Sequence, residues 1–176
     1  MFDWLRDLIS QFWTRMLPVQ VVTVGQHAGH IRLGKYHRTL GPGLHWKIPV
    51  ADAFEIHHTN ITTQRFDSQT LTTKDDIQIV LRAIVRYQID DVEKYIVNCF
   101  DQREVLEDTT MGEIQKHVRD HTWAEFDAAA LEKEVATAVR RQTGKFGFEI
   151  IAVTLTDVGR MRSLRLITTH PPQPGA

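Results

Sequence analysis

The order of strand and helix signals in this 176-residue chain predicts an α+β fold, β-rich in its first half and mixed in its second. Three observations carry that expectation. Between Ile77 and Ile89 every odd position is apolar, while Gln78, Arg82, Arg86 and Gln88 occupy even positions, the period of a long strand with one face on a core. Short strand-like runs divided by Gly and Pro precede it. Helix-like stretches and a second alternating run follow it.

Composition limits the function classes. Apolar content of 42% and charged content of 24% are ordinary for one folded domain. A net charge of −1 provides no global field for nucleic acid. The single cysteine, Cys99, excludes an internal disulfide; it lies in the apolar run Tyr95 to Phe100 and reads as buried filler. No run approaches the ~18 apolar residues of a spanning helix. The apolar N-terminal block is interrupted by polar residues and lacks a cleavage-like motif, so no secretory signal is expected.

The first element expected is an amphipathic helix within residues 1–18. Phe2, Trp4, Leu5, Leu8, Ile9, Phe12, Trp13, Met16 and Leu17 recur as pairs every four residues and fill a little over half of a helical wheel. Arg6 and Arg15 fall at the borders of that face, where a long stem can lie along lipid with its guanidinium in water. Asp3 suits the start, and Pro18 disfavours helix at Leu17. A face this apolar needs a nonaqueous setting, either the bilayer interface or a packing surface on the core or another subunit.

The body follows in order. Val19 to Val24 and His30 to Leu33 read as strands about a Gly-containing turn. In Gly41-Pro42-Gly43, Pro42 presets the first corner and Gly43 the positive φ of a type II turn, so a strand, a tight turn and a return strand over Leu44 to Ile48 are expected. Ala53 to His57 continues as strand, and the Thr- and Gln-rich Ile61 to Thr72 as an edge or long half-exposed strand. After Ile77 to Ile89, Asp90 to Glu93 has capping-box spacing and opens a short helix through Cys99. A longer helix spans about 103–121 with Val105, Leu106, Thr109, Ile114 and Val118 on one face. Thr122 and Glu125 form a second capping box, Ala128 to Gln142 is helical, Gly144 and Gly147 close it, and Phe148 to Val158 alternates as the last strand.

Four of these segments carry a family resemblance. Gly34 to Pro49 resembles the "LGKxxRTLGPGLHxxIP" segment of stomatin-like proteins, the SPFH (band 7, prohibitin-homology) family. Thr73 to Asp76 resembles the "TKDN" turn before the family's long strand, Leu106 to Phe126 its "LAQTTLRxxIGxxTLDEL" block, and Phe148 to Val158 its "GIEVxxVxIxDV" ending. The resemblance covers about residues 19–158, leaving 1–18 as the helix and 159–176 as a short basic, then Pro-rich tail. It implies an SPFH domain with an antiparallel β-rich first half and a mixed second half. It further implies a non-enzymatic, membrane-associated scaffold; with no secretory signal expected, that scaffold would be peripheral on the cytoplasmic side. Such a scaffold would self-associate as a homo-oligomer and organise membrane proteins, among them a membrane protease or channel.

Relatives in that family begin with a hydrophobic hairpin or spanning helix and continue past the "DV" end into a coiled coil. Neither pattern is present in this sequence. The alternative reading is a soluble or particle-bound structural subunit whose first helix packs between protomers. A third is a truncated inhibitor that stops the growth of relatives' rings.

Chemistry is sparse. His117 and His121, four apart, share a helical face with Glu113, but HExxH is absent and surface histidines are expected. His57 and His58 point to opposite faces of a strand. His27, His30, His37 and His45 cluster in sequence near the hairpin and suggest pH-sensitive membrane or subunit contacts. Gly41-Pro42-Gly43 opens no phosphate-binding helix, and Gly-x-Ser-x-Gly is absent. Accordingly no catalytic residue, cofactor, metal, nucleic acid or small-molecule substrate is expected.

Overall fold

The computed structural model describes residues 18–161; the expected amphipathic helix, with Phe2 through Leu17, and the tail lie outside the described residues. Nine strands occur among them: β1 (Val19–Val22), β2 (Gln26–Arg32), β3 (Lys35–Leu40), β4 (Gly43–Trp46), β5 (Asp52–His58), β6 (Thr62–Arg65), β7 (Gln69–Thr72), β8 (Gln78–Ile89) and β9 (Phe148–Arg160). The helices are α1 (Val92–Val97), α2 (Gln102–Asp120) and α3 (Ala128–Thr143), with 3-10 turns at Trp123–Glu125 and Gly144–Phe146. The α+β order read from the sequence is the order observed.

The first half corrects the hairpin expectation. β3 pairs with β2, and β4 pairs with β1, so Gly41-Pro42-Gly43 carries the chain from a three-stranded sheet (β3-β2-β5) to a two-stranded ribbon (β1-β4). Gly43 has φ of 142°, a region open to glycine but well away from the second corner of a type II turn, near φ 80°. β1 and β2, expected about a common turn, likewise pair with other strands rather than each other. The Ile61 to Thr72 stretch is two short strands, because Phe66 turns inward and is buried between them.

The second half is organised by β8. β6 and β7 share one edge of β8, and β9 runs antiparallel along the other. Ile79, Leu81, Ala83 and Val85 are fully buried, as the alternation predicts. They pack with Leu106, Met111, Ile114 and Val118 of α2 and with Leu131, Val135 and Val139 of α3. The buried face of α2 also includes Thr110; Val105 and Thr109, expected on it, are only half-buried. Thr110 and Thr143 satisfy their hydroxyls by donating to the carbonyls of Leu106 and Val139, one turn back.

Aspartates start all three α-helices among the described residues. Asp91, Asp101 and Asp127 accept from the amides of Lys94, Glu104 and Ala129, so the short-helix cap is Asp91 rather than a box between Asp90 and Glu93. The Thr122–Glu125 box is present in part of its geometry: the Glu125 carboxylate accepts the Thr122 amide at 3.0 Å and its hydroxyl at 2.9 Å. It precedes a 3-10 turn, and Asp127 opens α3 instead.

The outer edge of β9 has no further strand among the described residues. Side chains of α3 occupy it. Arg140 donates from Nε and Nη2 to the carbonyl of Ile150, and Glu132 accepts the amide of Leu155 at 2.7 Å. Two edge groups that would otherwise recruit a strand are thus engaged within the chain.

Tyr95 of α1 joins the halves. Its ring meets His57 of β5 edge-on at 5.1 Å and Phe148 of β9 at 5.2 Å. The apolar core of the first half is small: Val22, Ala28 and Leu40, with Phe54 against them.

Candidate membrane-contact surface

The β1–β4 ribbon is apolar on one face and mixed on the other, where Gln20 lies opposite His45 and Val22 opposite Gly43. In its register Val19 lies opposite Trp46 and Val21 opposite Leu44, so these four side chains share one face. Val22, on the reverse face, is buried in the small core. The first face is bare: Val21 and Leu44 are exposed, and Trp46 is 79% accessible.

The apolar surface continues past the ribbon. Ile48 is exposed, Val50 is fully exposed, and Leu33 is 80% accessible on the adjacent turn. Leu33 donates its amide to Ala51 at 2.8 Å, which brings the two turns together. Both exposed residues have left-handed backbones, φ 50° at Leu33 and φ 73° at Val50. A β-branched residue pays for that geometry, so an exposed valine there is held by its surroundings.

Asp52 supplies the hold. Its buried carboxylate accepts from Arg32 Nε at 2.7 Å, Arg32 Nη2 at 3.1 Å and the Ile48 amide at 2.9 Å. Its own amide donates back to the Ile48 carbonyl at 3.0 Å. The Arg32 bonds, then that of Ile48, hold the Asp52 carboxyl far below the usual carboxylate range. His30 stacks on Phe54 with ring centroids 4.9 Å apart and brings Nε2 to 3.1 Å from Asp52, but in poor hydrogen-bond geometry. Arg32 and Asp52 are register partners, so one ion pair closes the base of both turns. Lys35 and Lys47 are near neighbours in sequence of Leu33 and of Trp46 and Ile48.

The chain enters this surface directly. The backbone amide of Lys47 donates to the carbonyl of Pro18 at 2.7 Å, placing Pro18 beside the Trp46–Ile48 backbone. Of the expected site residues, Gly41, Pro42 and Gly43 form the link between sheets, where the Gly41 carbonyl lies 2.8 Å from His45 Nε2. The expected membrane-binding residues Phe2 through Leu17 lie outside the described residues. Val21, Leu33, Leu44, Trp46, Ile48 and Val50 were not expected as site residues. The alternation Leu44-His45-Trp46-Lys47-Ile48 was the available signal, since it places three apolar residues on one face.

No helix among the described residues is long and apolar enough to cross a membrane. Also among them, no group of three or more His, Cys, Asp or Glu side chains converges as a ready metal site. Cys99 is buried, and desolvation pushes its thiol up.

The SPFH domain / Band 7 family profile matches residues 20–160. The chain belongs to the SPFH family. It is similar to an uncharacterized protein of Archaeoglobus fulgidus, 24% identical over 93% of this chain and 67% of that protein. It is also similar to Protein HflK of Treponema pallidum, 24% identical over 58% of this chain and 38% of HflK. For Protein HflK of Vibrio parahaemolyticus the figures are 27%, 51% and 22%. This SPFH chain therefore spans well under half of the HflK proteins it matches.

Proposed function

We propose that this SPFH protein is a non-enzymatic membrane-associated scaffold. It attaches through residues 2–17 together with the apolar rim of its first half, and it self-associates to organise or regulate membrane proteins. The observation that carries the reading is the bare face of Val21, Leu44 and Trp46, continued by Ile48 and Val50, immediately beside Pro18. Burying a large apolar side chain fully contributes about 1.5–3 kcal/mol, so partial insertion of five amounts to several kcal/mol even before residues 2–17 are added. On this reading the protein is peripheral on the cytoplasmic side and acts on a membrane protease or channel, the partner class the family resemblance implies.

Flotation of the full chain with phosphatidylcholine/phosphatidylserine vesicles tests it. The expected result is co-flotation of the parent, at least tenfold less for Trp46→Ser/Val50→Ser, and a further loss with Trp4→Ser/Trp13→Ser. A discrete detergent-free particle that ignores vesicles would overturn membrane attachment in favour of packing between protomers.

A further inference from the structure

The last turn of α2 and the facing side of α3 build a polar cleft of about 280 Å³, far in sequence from the apolar rim. His117 and His121 lie there with their rings stacked, centroids 4.1 Å apart and planes 18° from parallel. His117 Nδ1 is 2.9 Å from Glu134 Oε2 of α3, and His121 Nδ1 is 2.8 Å from the carbonyl of His117. Because a carbonyl can only accept, His121 carries its proton on Nδ1. The carboxylate likewise draws a proton to Nδ1 of His117. In the neutral rings both free lone pairs therefore sit on Nε2, and neither Nε2 has a hydrogen-bond partner among the described residues.

We propose that His117 and His121 bind one divalent first-row transition ion through their Nε2 atoms. Copper(II) is favoured, with zinc weaker, and water fills the remaining positions. Four observations converge. His117 stands in the last turn of α2 and His121 is the extended C-cap just past it, which brings the two rings together. Two nitrogens bound to one ion at about 2.0–2.1 Å are no more than about 4.2 Å apart, and the two neighbouring rings meet that limit by opening out of their stack so that the in-plane Nε2 lone pairs converge. The two Nδ1 contacts, one to a carboxylate and one to a backbone carbonyl, are those that orient metal-binding imidazoles and raise their basicity. A cation is favoured at a helix C-terminus, and Glu113, Asp120 and Glu134 outnumber Lys116 around the cleft. Since no third His, Cys, Asp or Glu converges with the pair, the ion is held by two protein nitrogens and exchanges readily. This goes past the sequence expectation of surface histidines without metal, and it is independent of the membrane reading.

The test is copper(II) titration of the full chain, followed by electron paramagnetic resonance and calorimetry, with zinc(II) as a second probe. His117→Asn and His121→Asn are the informative variants. An asparagine amide can keep the donation made by Nδ1 while the Nε2 ligand is lost. The parent is expected to bind one copper per chain with nitrogen coupling in the spectrum, and metal should raise its melting temperature. Each variant should bind at least tenfold more weakly, and the double variant should lose the site, with unchanged metal-free far-UV circular dichroism. If the parent takes up no ion, or if a folded double variant binds as the parent does, the site does not exist.

Discussion

Arg140 reaches from α3 to donate two hydrogen bonds, at 3.1 and 2.7 Å, to the carbonyl of Ile150 on the open edge of β9. A guanidinium satisfying an edge carbonyl both stabilises the helix-to-sheet contact and denies that carbonyl to a foreign strand. Arg140→Met is expected to lower stability by about 1.5–3 kcal/mol, the range for hydrogen bonds to charged groups. It should also promote self-association when combined with Glu132→Ala, which frees the Leu155 amide. Urea unfolding and sedimentation velocity read the two effects separately.

Two glycines give opposite forecasts. Gly147 has φ 79°, and a Cβ there would drive into the backbone carbonyl of Asp91. Gly147→Ala should cost more than about 2 kcal/mol through combined strain and clash. Gly112, exposed within α2, has nothing near its missing Cβ. Gly112→Ala should instead stabilise by about 0.5–1 kcal/mol. Chemical denaturation of both variants checks the pair.

Val50 separates stability from attachment. Val50→Gly relieves the left-handed valine and is expected to raise stability by up to about 1 kcal/mol, while reducing vesicle flotation because an apolar contact is gone. Parallel melting and flotation measurements decide it; a gain or loss in both together contradicts the assignment.

Acid should weaken the fold. Asp52 is held low chiefly by Arg32, Asp75 by the Thr73 hydroxyl, Asp91 by the Lys94 amide and Glu125 by the Thr122 amide. A depressed folded pKa means that these contacts stabilise above the unfolded carboxylate range, about pH 4, and are lost as pH falls through the folded values. Stability should therefore be level near neutrality and fall below about pH 4. Asp52→Asn should be less stable at pH 7 and show a shallower acid decline, measured by urea midpoints at pH 7 and pH 3.

Much of the fold was legible because its signals are local. The alternation of Ile77 to Ile89 requires only that one face be buried, and aspartates before helical runs require only a neighbouring amide. Strand partners were not legible in the same way. Gly41-Pro42-Gly43 has the composition of a hairpin turn, yet pairing β3 with β2 and β4 with β1 depends on contacts distant in sequence. The apolar rim was missed because Leu44, Trp46 and Ile48 look identical in sequence whether they face a core or water. The Glu134 partner of His117 lies on another helix, so histidine spacing alone did not disclose it.

The two halves differ in how firmly they are stitched. Among the described residues, the first-half cluster has three buried apolar members, whereas the cluster built on β8 has seventeen. Amides of β1 to β5 should therefore exchange with deuterium through cheaper openings than those of β8 and α2. A lightly quilted front mounted on a stiff chassis can reshape itself against an uneven contour, leaving the rest of the molecule undisturbed.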